Sequence, residues 1–223
     1  MTDPLWTTVD NYLSDLFIHP DPALDAALQS SEAAGLEPIN VSPMQGKFLH
    51  ILAKCHNAKN ILEIGTLGGY STIWLGRALP SNGRMITLEA SPKHAEIARA
   101  NIAHADLSGA VEVLLGRAED NLPRLMAEHR GPFDFIFIDA EKTAYCDYFE
   151  WCLKLARRGT LIIADNVIRK GAVADAASSD ARVQGVRRFN QMVAAERRVT
   201  ATAIQTVGSK GYDGFTIMLV TQD

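Results

Sequence analysis

From Asn60 to the C-terminal segment, short and almost wholly apolar runs alternate with longer stretches of helical pattern, and this alternation constrains the fold most. The apolar runs are residues 60–65 (NILEIG), 84–89 (RMITLE), 111–116 (VEVLLG), 133–139 (FDFIFID) and 160–165 (TLIIAD). Runs apolar nearly throughout are expected of strands covered on both faces. Between them lie residues 69–79, 92–105, 118–129 and 144–156, each long enough for a crossover helix. The pattern reads as βαβ units winding a parallel sheet with helices on both faces. After a helix candidate at 180–196, two β-rich runs, 199–207 and 214–220, are separated only by GSKGYD. No crossover helix fits that gap, so these runs are predicted to form an antiparallel hairpin. The first 58 residues are helical in pattern, with starts marked by Asp3-Pro4, Asp21-Pro22 and Ser42-Pro43. A single domain is expected, in which a helical segment (1–58) leads into an α/β core (59–223).

Composition narrows the function classes. With 47% hydrophobic and 22% charged residues the chain is neither disordered, collagen-like nor a coiled coil. A net charge of −4 leaves no basic footprint for a phosphate backbone, so nucleic acid is not expected as a partner. No apolar run approaches the roughly 18–20 residues of a membrane span, and MTDPLWTTVD has no signal-peptide character. A cytoplasmic protein without a membrane partner is expected. Cys55, Cys146 and Cys152 show no metal spacing, and the latter two read as small hydrophobes on a helix. The six histidines are scattered without an acid or cysteine at ligand spacing and read as structural or surface residues.

Three constellations carry chemistry. Glu63-Ile64-Gly65-Thr66-Leu67-Gly68-Gly69-Tyr70-Ser71 leaves a strand and opens a helix, where glycines let a ligand approach the backbone. Leu67 stands where a dinucleotide fingerprint has glycine. A carboxylate at Glu63 suits an ammonium group better than a pyrophosphate. A tight turn without any ligand is the plain alternative. Glu89 ends the next strand candidate twenty residues beyond Gly69, where nucleotide-binding α/β folds place an acid for ribose hydroxyls. The same residue is also an ordinary neighbour of a helix start at Ser91-Pro92.

Asp139 ends FDFIFID, and Asp165-Asn166 end TLIIADN. On neighbouring parallel strands these ends would lie about 4.8 Å apart. Two carboxylates and an amide oxygen would then converge, and a hard dication is their natural occupant: Mg²⁺ first, Mn²⁺ or Ca²⁺ next. Helix capping by each acid is the plain reading; it suits Asp139 but leaves the Asp165-Asn166 pair unexplained. Lys142, three residues beyond Asp139, opposes the dipole of the helix it opens. Beside a dication its pKa should fall, fitting it to accept a proton. Ser71 lies in GGYST rather than G-x-S-x-G, which argues against a hydrolase nucleophile.

Taken together, these residues resemble the class I S-adenosylmethionine-dependent methyltransferases, and within them the cation-dependent catechol and caffeoyl-coenzyme A O-methyltransferases in a short bacterial-type form. The resemblance runs from VSPMQGKFL to DGFTIMLV and is strongest in LEIGTLGGYS, FDFIFIDAEKTAY and IIADNVIRKGAV. It implies a doubly wound, mostly parallel seven-stranded sheet in the order 3-2-1-4-5-7-6 with strand 7 antiparallel. It also implies that Val41, Glu63, Gly65, Thr66, Ser71, Glu89 and Ala118 line the S-adenosylmethionine site. Asp139, Asp165 and Asn166 match the family's metal ligands, and Lys142 its general base. A homodimer and a small phenolic acceptor are further implications. No Lys or Arg precedes Lys47 to hold a coenzyme A phosphate, so a free catechol-like acceptor is expected. The segment 169–180, which should form an insertion loop near the acceptor, carries no recognisable signature. Two other classes are weighed: a nicotinamide-dependent oxidoreductase and a non-catalytic nucleotide-binding protein. Leu67, the terminal hairpin and the lack of a Tyr-x-x-x-Lys pair argue against the first. The second makes Asp139, Lys142 and Asp165-Asn166 a coincidence.

Overall fold

Three capped helices open the computed structural model, which describes residues 3–222: α1 (Pro4–Phe17), α2 (Pro22–Ala33) and α3 (Pro43–Cys55). Asp3, Asp21 and Ser42 stand in extended backbone, and their side chains accept from the first free N–H groups of each helix. Proline follows each cap, where its missing N–H costs nothing. The alternating region comprises β1 (Asn60–Ile64), α4 (Tyr70–Gly76), β2 (Arg84–Glu89), α5 (Pro92–His104), β3 (Val111–Leu115) and α6 (Ala118–Ala127). It continues with β4 (Phe135–Ile138), α7 (Tyr145–Lys154), β5 (Leu161–Asp165) and α8 (Ala181–Ala195). The hairpin β6 (Val199–Gly208) and β7 (Gly211–Val220) ends it.

The seven strands form one sheet in the order β3-β2-β1-β4-β5-β7-β6. β1 to β5 pair in parallel, whereas β7 runs antiparallel to both β5 and β6. The expected fold class and strand order are therefore observed. The hairpin connection is shorter than GSKGYD suggested. Gly208 pairs with Gly211, leaving a two-residue turn at Ser209-Lys210, and β7 starts three residues before Gly214. Gly211 and Asp213 have poor strand propensity, but ladder pairing with Gly208 and Thr206 overrides it.

Side chains alternate across the sheet into two cores. Leu62, Ile64, Ile136, Ile138 and Ile162 face α6 to α8, where they meet Leu122, Phe149 and Phe189. Ile61, Met85, Phe135, Phe137 and Ile163 face the opposite way, onto Leu49, Ile73, Ala98 and Ile102. Each fully buried large apolar side chain contributes about 1.5–3 kcal/mol. Both faces are covered, which is why the strand sequences lack polar alternation. Cys152 is buried in the first core, and all three cysteines are free. Among the described residues no helix is long and apolar enough to cross a membrane.

Candidate active site

The carboxyl ends of β1, β4 and β5 open onto one cleft of about 410 Å³. Gly65 follows β1 with φ +102°, and a Cβ there would stand 1.9 Å from the carbonyl oxygen of Asp139. Glycine is required because the turn after β1 presses against the end of β4. Leu67, the departure from a dinucleotide fingerprint, takes a left-handed φ of 50°. Glu89 holds the turn in place: its Oε2 accepts from the Leu67 N–H at 2.8 Å and the Thr66 N–H at 3.3 Å. Its Oε1 accepts from the Ser91 N–H at 2.9 Å, the contact expected of a neighbour of the helix start at Ser91-Pro92. A carboxylate offers about four acceptor sites, which leaves room for a ligand hydroxyl.

Glu63 lies behind the turn rather than on the cleft. It is fully buried, and its oxygens accept from Ser71 Oγ at 2.7 Å, Thr72 Oγ1 at 2.5 Å and Thr87 Oγ1 at 2.6 Å. A ligand ammonium therefore meets Ser71, which lines the cleft, before Glu63. Burial pushes the Glu63 carboxyl up to about 7, against the lowering effect of the three hydroxyls. The folded state thus keeps a proton that the unfolded chain releases near 4.5. The associated stability is full below that pH and disappears as pH rises through 7, a loss of about 3 kcal/mol. Glu63→Gln should accordingly gain stability relative to the parent between pH 5 and 8, read by urea unfolding of ligand-free protein. A difference that stays flat with pH refutes an acid proton at Glu63.

Across the cleft, Ile138 and Ala164 are registered partners, so the next residues, Asp139 and Asp165, leave adjacent parallel strands side by side. Asp165 is buried, with Oδ2 accepting from Gln45 Nε2 at 2.7 Å and Oδ1 from the Asn166 N–H at 2.8 Å. Burial, and then the charge of Asp139, pushes its carboxyl up to about 7. Asn166 has φ 56°, and its side-chain amide makes no hydrogen bond among the described residues. Two crowded carboxylates and an uncommitted amide are an all-oxygen donor set of the kind hard cations take. Among the described residues no group of three or more His, Cys, Asp or Glu could hold a metal; this set is mixed.

Lys142 sits in a short 3₁₀ turn before α7 and is almost fully buried. Its Nζ donates to Asp139 Oδ1 at 2.8 Å and to the Tyr145 hydroxyl at 2.9 Å. Burial pulls the ammonium down, but the Asp139 carboxylate and Tyr145 outweigh it and hold the lysine well above its usual value. Tyr145 in turn donates to the Asp165 carbonyl at 2.9 Å, tying the lysine to the end of β5.

Val41, Gly65, Thr66, Ser71, Asp139, Lys142 and Asn166 all line the cleft. Asp165, Glu63, Glu89 and Ala118, the first residue of α6, stand outside the lining. Gln45, Tyr145, Thr72 and Thr87 support the site without having been singled out in the sequence. Only Tyr145 carried a local signal, its i+3 spacing from Lys142.

The family model described as O-methyltransferase matches residues 22–219. A protein of Niastella koreensis named catechol O-methyltransferase is 54% identical over 220 residues, covering 99% of this chain and 100% of that protein. The O-methyltransferase from Bacillus cereus, solved in complex with SAH, superposes with a TM-score of 0.96 at 58% identity, covering 97% of this chain and 99% of that one. The O-methyltransferase TomG from Streptomyces achromogenes, involved in tomaymycin synthesis and solved in complex with SAM, gives 0.95 at 50% identity, with 99% of each chain covered.

Proposed function

The chain belongs to the O-methyltransferase family, and we propose that it transfers the methyl group of S-adenosylmethionine to one hydroxyl of a vicinal dihydroxy-aromatic acceptor, with a divalent cation held by Asp139, Asp165 and Asn166. The β4–β5 register, which brings the strand ends bearing Asp139 and Asp165-Asn166 side by side, is the observation that supports this reading. Mg²⁺ is the preferred ion because the donors are hard oxygens. The complexes of related enzymes with SAH and SAM, and the name catechol O-methyltransferase, support donor and acceptor class. With this membership the oxidoreductase and non-catalytic alternatives lose their footing.

On the donor side, Gly65 and Thr66 offer backbone approach, Val41 and Ser71 flank the amino-acid portion, and Glu89 takes ribose hydroxyls. Glu63 acts through Ser71, and Ala118 borders the base. When bound, the cation supplies Lewis acidity toward two neighbouring oxygens and fixes their position. Lys142 accepts the proton at Nζ. Once Asp139 is committed to a cation, burial is the main remaining influence on this lysine, and burial lowers its pKa. Tyr145 keeps the lysine aimed. The enclosed cleft holds acceptor oxygen and donor methyl as a near-attack pair and excludes competing water.

The reading extends to a homodimer. Leu5, Val9, Tyr12 and Leu16 form an exposed apolar stripe on α1, beside the edge strand β6, whose ten residues carry no charge. An edge of that kind invites pairing with a second copy.

The test compares a catechol with its monohydric analogue. The monophenol loses chelation and keeps a pKa near ~10, so little phenolate exists at neutral pH. Methyl transfer to the catechol alone is expected by product mass analysis. Equal rates on both compounds refute chelation of the acceptor.

A further inference from the structure

Three cationic side chains border the cleft: Lys142, Arg169 and Arg182. Two are already neutralised. Lys142 pairs with Asp139 at 2.8 Å, and Arg182 lies 3.4 Å from Glu141. Arg169 differs. Its guanidinium makes no hydrogen bond or ion pair among the described residues, and its Nε is sealed from solvent without an acceptor. A buried donor in that state is an anomaly that a ligand oxygen would resolve.

The backbone holds this residue in place. Asp213 Oδ1 accepts from the N–H groups of Ile168 at 3.0 Å and Arg169 at 2.9 Å, pinning the segment to the start of β7. Arg169 follows Asn166 by three residues, so it stands at the β5 end of the cleft. In the order β1-β4-β5 that end is two strand positions, roughly 10 Å, from the glycine turn. On the reading proposed above the glycine turn belongs to the donor, which leaves Arg169 on the side of the acceptor. The acidic side chain facing the cleft without an ion pair among the described residues, Glu37, is exposed on the opposite loop before α3, where water screens it.

We propose that Arg169 binds an anionic substituent of the acceptor, so that the favoured substrates are vicinal dihydroxy-aromatic carboxylates rather than neutral or cationic catechols. This inference rests on the methyl-transfer reading above and narrows its substrate class. A guanidinium presents a planar fork of donors that matches both oxygens of a carboxylate. The acceptor would then be fixed at two points, its hydroxyls beside Asn166 and its carboxylate at Arg169. Such two-point attachment decides which hydroxyl faces the methyl donor.

The experiment measures kcat/KM with Mg²⁺ and S-adenosylmethionine for 3,4-dihydroxybenzoate, catechol and 4-(2-aminoethyl)catechol. The parent enzyme should favour the carboxylate over catechol by roughly tenfold or more, the scale of a charge-assisted hydrogen bond. In Arg169→Met that ratio should fall toward one, chiefly through KM, and Arg169→Lys should restore part of it. Equal use of all three acceptors, or preference for the cationic one, overturns the proposal. A Met variant whose affinity for S-adenosylhomocysteine falls while its acceptor ratio stays unchanged also overturns it, by assigning the guanidinium to the donor. Failure of the parent enzyme to methylate any of them refutes the reaction instead. Calorimetric binding of 3,4-dihydroxybenzoate to parent and Met variant still decides the role of Arg169 in that event.

Discussion

Replacing Lys142 by alanine should lower turnover on a catechol by about 10²–10⁴, the usual contribution of a positioned base. Affinity for S-adenosylmethionine should hardly change, because Lys142 contacts Asp139 and Tyr145, which the proposed reading assigns to the acceptor. Raising the pH should recover part of the lost rate, since hydroxide can remove the acceptor proton when no amine is present. The substitution also removes the buried cation paired with Asp139, next to Asp165, whose carboxyl burial and then the charge of Asp139 already push upward. Metal-free Lys142→Ala should therefore unfold more readily than the parent, and a dication should close most of that gap. Lys142→Met, which preserves the buried stem, separates packing from proton transfer. Undiminished turnover in both variants, in steady-state assays at saturating donor, eliminates the lysine as the base.

The residues that proved easiest to read from sequence were those whose position follows from strand geometry alone. Asp139 and Asp165 each end an apolar run, and a parallel sheet brings such ends to one edge whatever the helices do. Gly65 and Gly69 were legible for a similar reason: both take positive φ where a strand turns into a helix. Long-range support was not legible. Gln45 reaches Asp165 across 120 residues, and nothing in SPMQGKF marks that glutamine as facing β5. The hydroxyl cage around Glu63 was missed: Ser71 was named only for the cofactor site, and Thr72 and Thr87 look like ordinary helix and strand residues. An ammonium was expected to pair with Glu63 or its neighbourhood; Glu63 is fully buried, and Ser71, which donates to it, is the neighbour that lines the cleft. The start of β7 was misjudged because Gly211 and Asp213 carry turn propensity, and cross-strand pairing is invisible in a single segment. Arg169 lies within IIADNVIRKGAV, but no role was read for it there; its missing acceptor is what distinguishes it.

Exhaustive chelation should abolish turnover, and added Mg²⁺ should restore it. The argument begins with Asp165, a buried carboxyl beside another carboxylate, whose ionised form is unfavourable without compensation. Lys142 offsets Asp139, whereas Asp165 receives only neutral hydrogen bonds, from Gln45 Nε2 and the Asn166 N–H. That leaves the cluster deficient in positive charge at neutral pH, and a dication is the occupant that corrects it. Because binding requires Asp165 ionised, affinity for Mg²⁺ should weaken as pH falls from above 7, where the carboxyl sheds its proton, toward 5. Asp165→Asn keeps the shape and the acceptor for Gln45 but removes the charge. It should cost metal affinity by at least tenfold, measured by calorimetry, and lower turnover at limiting Mg²⁺ while excess Mg²⁺ recovers part of it. Asn166→Ala tests the amide in the same way, with a smaller effect expected because no charge is lost. Full activity in a sample verified to be metal-free refutes the cation site, and the acceptor would then have to be activated by Lys142 alone.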